Sequence, residues 1–353
     1  MSPKLYPRAA LALLTGLNLM NYLDRSVLFA VQPLIQKELG RSDAQFGLLT
    51  TAFFFCYMVA APFMGFLGDR YSRKLIMFCG AAVWSAATLM TAITYSYDAL
   101  LVRHTLVGIG EATFVTIAPS FLADLFPEQK RGTVLAIFYI NIGLGTALGY
   151  MLGGYMGERW GWRSPFYVAG IPGFLLALAL MFLPEPPRGE QDTLEETPER
   201  STVAGLAHNP AYWTATLGMA MVTFALGGLQ VWMPTFLSRM RHVPLDRANL
   251  IFGGLTAFNA IVATLLGGWL GDRMLRKSAG GYYRLSAITL AVGIPAMAVA
   301  ILNGGRGMFP AIFAAEFLLF LNTGPLNAAV VNSVGAHIRA TARPRAGTRP
   351  LAQ

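Results

Sequence analysis

Ten long, continuously apolar runs, separated by mostly short polar connections, make up most of the chain. Each is about as long as the ~20 residues that an α-helix needs to cross a lipid bilayer. The runs do not show the two-residue alternation of membrane barrel strands, so the pattern predicts an all-α polytopic membrane protein. They cover approximately residues 9–36, 46–67, 75–95, 99–124, 132–157, 165–183, 211–238, 248–271, 283–302 and 308–334.

A polar loop motif occurs twice between these runs. GFLGDRYSRK at 65–74 returns as GWLGDRMLRK at 268–277, with seven of ten positions identical and a spacing of 203 residues. Each copy follows one apolar run and precedes another. Secondary transporters are commonly built from such duplicated membrane modules. The repeat therefore indicates transport and predicts two related bundles.

The one long polar break separates the sixth run from the seventh. Residues 185–209 begin EPPRGEQDTLEETPER and hold six of the chain's 18 acidic residues, a composition typical of a solvated connector. The predicted domains are a six-helix bundle over 1–184, a cytoplasmic connector over 185–209, a four-helix bundle over 210–335 and a basic tail over 336–353.

Charge is scarce and unevenly distributed. Charged residues make up 13% of the chain, against about 25% in soluble domains. With the N-terminus in the cytoplasm, 17 of the 27 basic residues lie inside and eight outside. The net charge of +9 thus reflects the positive-inside rule, and no nucleic-acid partner is required. We expect a multi-pass protein of the cell (inner) membrane, whose first apolar run is too long for a cleaved signal peptide.

Four charged residues lie well inside the first and fourth predicted spans. Asp24 and Arg25 belong to the first span, and Arg103 and Glu111 to the fourth. Glu111 lies 13 residues from the nearest acid on either side, about 20 Å from either end of its helix. A charge facing lipid there costs at least about 2.5–3.5 kcal/mol, so these groups must face the bundle interior, a water-filled cavity or one another.

Two interpretations of these charges stay open. Neighbours on a helix diverge by about 100°, so Asp24 and Arg25 are predicted to pair across spans one and four rather than with each other. The network could be permanent and serve only helix packing. Alternatively, Asp24 or Glu111 exchanges a proton while the arginines attract an anionic head group. Glu316, in the tenth span, is a further candidate for the same role.

The remaining sequence motifs indicate helix packing, and none of them indicates a catalytic site. Gly145, Gly149 and Gly153 recur every four residues on one face of the fifth span, a spacing that allows close helix packing. Neither a GxSxG nor an HExxH sequence occurs, and Cys56 and Cys79 lie within spans. We therefore expect no enzyme activity, no cofactor, no bound metal and no disulfide framework.

The two loops GFLGDRYSRK at 65–74 and GWLGDRMLRK at 268–277 resemble the loop signature of the major facilitator superfamily. RHTLVGIGEA at 103–112 resembles the basic motif of that superfamily's fourth helix. Four further stretches resemble the Spinster family within it: NYLDRSVLFAVQPLI at 21–35, AFFFCYMVAAPF at 52–63, LPEPPRG at 183–189 and NTGPLNA at 322–328. The resemblance extends over about residues 9–341.

The resemblance implies a twelve-helix secondary transporter of amphiphiles such as sphingoid phosphates and lysophospholipids, coupled to protons in bacterial members. It also implies that Asp24, Arg25, Arg103 and Glu111 line the central cavity. The loop motifs would act as gates, with Asp69 and Asp272 capping helix N-termini. The gate residues so assigned are Gly65, Gly68, Asp69, Arg70, Arg73, Gly268, Gly271, Asp272, Arg273 and Arg276.

The chain departs from the family after residue 342. Its last residues, RPRAGTRPLAQ, contain no acid and cannot form a membrane helix. We interpret this as a frameshift or premature end that leaves a major-facilitator fold with an incomplete second bundle. The alternative is a genuine ten-span protein with a basic cytoplasmic tail that binds anionic lipid. On the first interpretation, the chain as given is less stable and transports poorly.

The sequence therefore predicts a monomeric, proton-coupled transporter of an anionic amphiphile, working by alternating access within the lipid bilayer. Three alternatives remain: a major-facilitator carrier of small organic anions, a lipid-binding scaffold, and a truncated membrane remnant without transport activity. A membrane enzyme is disfavoured because no nucleophile, base or metal constellation is visible.

Overall fold

The computed structural model describes residues 6–188, 210–278, 280–303, 305 and 307–330, and all the regular secondary structure in these ranges is helical. The apolar runs predicted as spans are helices, which confirms the all-α membrane architecture. The helices are α1 Tyr6–Ala30, α2 Gln32–Leu39, α3 Asp43–Arg70, α4 Arg73–Thr91, α5 Tyr97–Leu125, α6 Glu128–Tyr139, α7 Asn141–Trp160, α8 Ser164–Leu180, α9 Pro210–Arg241, α10 Leu245–Leu275, α11 Gly281–Leu302 and α12 Met308–Phe320.

Within the described ranges, eight helical segments are long and apolar enough to cross a membrane. One of them combines α6 and α7 over Thr133–Trp160, and another extends α12 to Val330. The remaining two predicted spans are α8, an apolar helix of 17 residues, and α1, which carries the charged residues Asp24 and Arg25. Many large apolar side chains point outward, as expected for surfaces that face lipid.

Local signals explain where several helices begin and end. Ser42 and Gln45 form a reciprocal capping box at the start of α3. The hydroxyls of Ser72 and Ser96 accept hydrogen bonds from the N–H groups of the first turns of α4 and α5. Gly40 ends α2 in the left-handed conformation, at φ 62°, which glycine adopts without a steric penalty.

The chain divides into two compact units. The first comprises residues 1–194 and 230–257, and the second comprises 195–229 and 258–353. The boundaries fall within α9 and α10, so the last part of α9 and the first part of α10 belong to the first unit. Of the predicted connector 185–209, residues 189–209 lie outside the described residues, as does the whole predicted tail 336–353.

An aromatic core holds the first unit together. Here α1 packs on α7 and α8, while α4 packs on α5 and α8, and α3 packs on α5. Trp84, Phe114 and Phe138 are almost fully buried and in edge or tilted ring contacts at the centre of this core. In the second unit α11 packs on α12, and a smaller cluster forms around Tyr282, Ala215 and Ala329.

The glycine row of α7 lies against α1. A Cβ atom at Gly145 would lie 2.8 Å from the Leu19 carbonyl oxygen, and one at Gly153 would lie 2.7 Å from the Ala30 Cβ. Such distances leave no room for a side chain. The small residues therefore let the α1 and α7 backbones approach each other, the arrangement that their four-residue spacing predicts.

Candidate functional site

Arg25 of α1 and Glu111 of α5 form an ion pair inside the first unit. The Arg25 Nε donates to Glu111 Oε2 at 3.2 Å, and the Arg25 Nη2 makes a second contact with the same oxygen. Glu111 is fully buried. Asp24 points elsewhere and accepts a hydrogen bond from the Thr88 hydroxyl of α4. The pair thus crosses spans one and four, while Asp24 and Arg25 diverge.

Four aromatic rings surround the Arg25 guanidinium. Its Cζ lies 5.0–5.7 Å from the ring centroids of Tyr22, Phe53, Phe54 and Tyr57. A cation within about 6 Å of a ring face is attracted by the ring quadrupole. We call these four residues the aromatic cage. Three of its members come from the AFFFCYMVAAPF stretch of α3, whose aromatic density was the one sequence signal for it.

Buried asparagines add neutral polar groups on α1 and α7. Asn18 donates to the Phe138 carbonyl oxygen at 2.8 Å, and Asn141 donates to that of Thr15 at 2.6 Å. Asn21 is fully buried one turn before Arg25 on the same helix, and its amide interacts with the Glu111 carboxylate. Sequence reasoning did not select these residues because an isolated asparagine in an apolar span carries no spacing signal.

Arg103 is not part of this cluster, contrary to the sequence-based expectation. It lies six residues after Tyr97, where α5 begins, which places it only about 9 Å along the helix. Its guanidinium donates to the Met90 carbonyl oxygen and the Thr94 hydroxyl, at the end of α4. Counting along an apolar run put Arg103 inside the span, whereas helix packing puts it at a helix end.

Glu316 belongs to a separate polar cluster in the second unit. It is 1% exposed and accepts a hydrogen bond from the Asn259 amide at 2.9 Å. In the same unit, the Thr289 hydroxyl of α11 donates to the Asn322 amide oxygen at 3.1 Å. Each unit therefore carries a buried carboxylate among polar neighbours.

The first loop motif is held by the segment that follows α8. Arg73 pairs with Asp124 of α5, and its Nη2 donates to the Pro186 carbonyl oxygen at 3.1 Å. Glu185 accepts from the Ser72 hydroxyl at 2.5 Å and from the Arg73 backbone N–H at 2.7 Å. A carboxylate at the first turn of α4 is favoured by the free N–H groups and the helix dipole there.

Arg188 completes this attachment from the other side. Its Nη2 donates to the carbonyl oxygens of Gly68 and Tyr71, both at 2.8 Å, and its Nη1 donates to that of Asp69. These carbonyls lie at the end of α3, where helices leave acceptors unpaired. The LPEPPRG stretch thus fixes the loop between α3 and α4 through hydrogen bonds.

In each loop motif an arginine packs over the aromatic ring four residues before it. Arg70 packs over the Phe66 ring at 4.0 Å, and Arg273 packs over Trp269 at 5.4 Å. Within the second unit, Asp272 accepts from the Tyr282 hydroxyl at 2.8 Å.

The motif glycines differ in how closely they are packed. Gly68 contacts α5, and Gly271 lies against Tyr282. A Cβ at Gly65 would be in ordinary contact with Thr116, whereas a Cβ at Gly268 would have no atom within 4 Å. Arg276 lies just after the end of α10.

We expect Arg188→Ala to weaken the attachment of the LPEPPRG stretch to the loop between α3 and α4. Three carbonyl acceptors at the end of α3 lose their guanidinium donor, which should cost about 1 kcal/mol because the group is partly exposed. Limited chymotrypsin digestion should then cut the loop around Tyr71 faster than in the parent protein. Arg188→Lys keeps the charge without the planar fork and should fall between the two; equal digestion of all three proteins would contradict the assignment.

With this geometry established, comparison with known proteins identifies the class. The sequence-family model of the Major Facilitator Superfamily matches residues 14–343 of the chain. Protein spinster homolog 3 of Danio rerio is 34% identical over 94% of this chain and 71% of its own length. The sphingosine-1-phosphate transporter SPNS2 of Danio rerio is 34% identical over 90% of this chain and 67% of its own.

A solved structure agrees with these relatives. A bacterial homolog of the human lysosomal transporter Spinster, in an inward-facing and unoccupied conformation, superposes with a TM-score of 0.82. It is 26% identical, with 95% of this chain and 79% of that chain covered. The fold is therefore that of a major-facilitator transporter. Within that superfamily, the chain belongs to the Spinster family.

Proposed function

We propose that this protein is a proton-coupled secondary transporter of an anionic amphiphile such as a lysophospholipid or sphingoid phosphate. The single observation that carries the proposal is the buried Arg25–Glu111 pair within the aromatic cage. A guanidinium is suited to bind a phosphate through paired hydrogen bonds. The rings around it offer apolar contact to the first methylenes of an acyl or sphingoid chain.

The ion pair also provides a way to couple substrate and proton. If an anionic head group takes the Arg25 guanidinium, Glu111 is left as a buried carboxylate without its cation. A buried charge without a partner is costly, so protonation of Glu111 would accompany substrate binding. Asp24, which neighbours Arg25 on α1 and accepts a hydrogen bond from Thr88 of α4, is the second candidate proton carrier. Glu316 would serve a similar role in the second unit.

The roles of the loop motifs and of the two bundles follow from the alternating-access mechanism of such transporters. We propose that the loop motifs, with Asp69 and Asp272, gate the cytoplasmic side while two bundles, 1–184 and 210–335, alternate about the central site. The positive-inside distribution supports a cytoplasmic N-terminus in the cell (inner) membrane. The name of the SPNS2 relative, a sphingosine-1-phosphate transporter, supports a phosphate-bearing amphiphile.

The test is uptake of fluorescent lysophosphatidic acid into proteoliposomes with an imposed pH gradient. We expect Asp24→Asn and Glu111→Gln each to lower gradient-driven uptake at least about fivefold, the lower end of typical coupling between two sites. Asp98→Asn, which removes an exposed acid at the start of α5, is the matched control and should leave uptake unchanged.

Two results would contradict the proposal. If uptake and its pH dependence survive both substitutions, neither acid carries the proton. If small carboxylates abolish uptake of the amphiphile while being transported themselves, the protein is a carrier of small organic anions.

A further inference from the structure

A second candidate binding region lies at the end of the first unit that carries α2. There a cleft of about 630 Å³ opens between α2, the end of α7 and the turn that joins α9 to α10. None of the residues that line it belongs to the Arg25–Glu111 pair or to the aromatic cage. The cleft is therefore distinct from the Arg25–Glu111 region.

Basic side chains dominate the polar part of this cleft. Lys37, Arg41, Arg239 and His242 line it, against the single acid Glu158. Glu158 accepts a hydrogen bond from the Asp246 backbone N–H at 3.1 Å, so its carboxylate already stabilises the start of α10. The cleft thus has an excess of positive charge.

The cationic groups are positioned in different ways. Arg239 is fixed by Asp43 at 2.7 Å and by the Gln36 amide oxygen at 2.6 Å. Its charge is partly neutralised by that carboxylate. The Arg41 guanidinium stacks at 5.3 Å over the Tyr97 ring. For Lys37 the structure describes no ion-pair or hydrogen-bond partner, so its ammonium is the group most available to an anion.

The apolar part of the cleft lining is stiff. It is formed by Pro33, Leu34, Val243 and Pro244. The turn is fixed by a hydrogen bond from the Val243 N–H to the Leu237 carbonyl oxygen at 3.1 Å. Prolines restrict the backbone on both sides, so little ordering accompanies ligand binding. A wall of this kind suits methylene groups, whereas a site for a free inorganic anion needs none.

We propose that this cleft binds the phosphate head group and first methylenes of a single-chain amphiphile. Lys37 and Arg41 would contact the phosphate, and the proline-rich wall would contact the chain next to it. This second site goes beyond the proposed transport function and does not depend on the Arg25–Glu111 pair.

Photolabelling tests the site directly. The full chain, purified in neutral detergent, is labelled with a photoactivatable short-chain lysophosphatidic acid, and labelled peptides are mapped by mass spectrometry. We expect labelling within residues 33–45 and 238–245, competed by unlabelled short-chain lysophosphatidic acid. The monoacylglycerol of equal chain length should compete poorly because it lacks the phosphate.

Substitutions of the basic residues test which side chains of the cleft bind the probe. Lys37→Ala combined with Arg41→Ala should reduce labelling at least about fivefold, since two charge-assisted contacts are lost. Arg247→Ala is the matched control, because Arg247 is exposed in the first turn of α10 but does not line the cleft. Arg25→Gln combined with Glu111→Gln removes the ion pair without leaving a buried charge, so it should abolish transport but leave cleft labelling unchanged, which separates this proposal from the transport assignment.

Three outcomes would overturn the proposal. They are absence of labelling at these peptides, labelling unaffected by the Lys37 and Arg41 substitutions, and competition by inorganic phosphate as strong as that by the amphiphile. The last result would mean that the apolar wall contributes nothing to binding.

Discussion

Arg25→Met is expected to abolish transport and to lower the free energy of unfolding by about 3–5 kcal/mol, the usual cost of breaking a buried ion pair. The substitution leaves the Glu111 carboxylate fully buried without its cation. Thermal unfolding in detergent measures the stability loss, and proteoliposome uptake measures transport. Arg103→Met is the matched control and should cost less, because that guanidinium caps the end of α4 and is partly exposed.

A second substitution separates the structural part of this effect from the functional part. Adding Glu111→Gln to Arg25→Met removes the uncompensated charge, so most of the lost stability should return. Transport should stay absent, because neither a cation for the phosphate nor an acid for the proton remains. A double variant that transports normally would show that the pair only fixes helix packing.

Gly149→Ala is expected to lower the free energy of unfolding by about 1–3 kcal/mol, through overpacking between α7 and α1. A Cβ there would lie 2.5 Å from the Leu23 carbonyl oxygen and 2.7 Å from the Ser26 Cβ. Relief requires a shift of the α1 backbone, on which Asp24 and Arg25 sit. Transport should therefore fall together with the thermal unfolding temperature.

Gly227→Ala provides the control for that experiment. The structure has no atom within 4 Å of a Cβ at Gly227, a helical position in α9. Alanine should be neutral there or stabilise by up to about 1 kcal/mol through its higher helix propensity. If both alanine variants unfold at the same temperature as the parent protein, the glycine row does not fix the α1–α7 distance.

The sequence by itself determined the membrane architecture. A lipid bilayer requires backbone hydrogen bonds to be satisfied within each span, so run length and apolar continuity suffice to place the helices. It also predicted that charged residues of the first and fourth spans pair with one another, and that Asp24 does not pair with Arg25. A charge within a span has very few acceptable surroundings, and the 100° rotation per residue excludes an Arg25–Asp24 pair.

Only the tertiary structure decided which side chains surround that pair. The aromatic cage and Asn21 come from ordinary apolar runs whose facing direction depends on how α1, α3 and α5 pack. The same holds for Arg103, which sits at a helix end instead of beside Glu111, and for Arg188, which reaches back 120 residues to the carbonyl of Gly68. Contacts between segments distant in sequence depend on packing of the whole bundle, and local composition and periodicity carry no record of it.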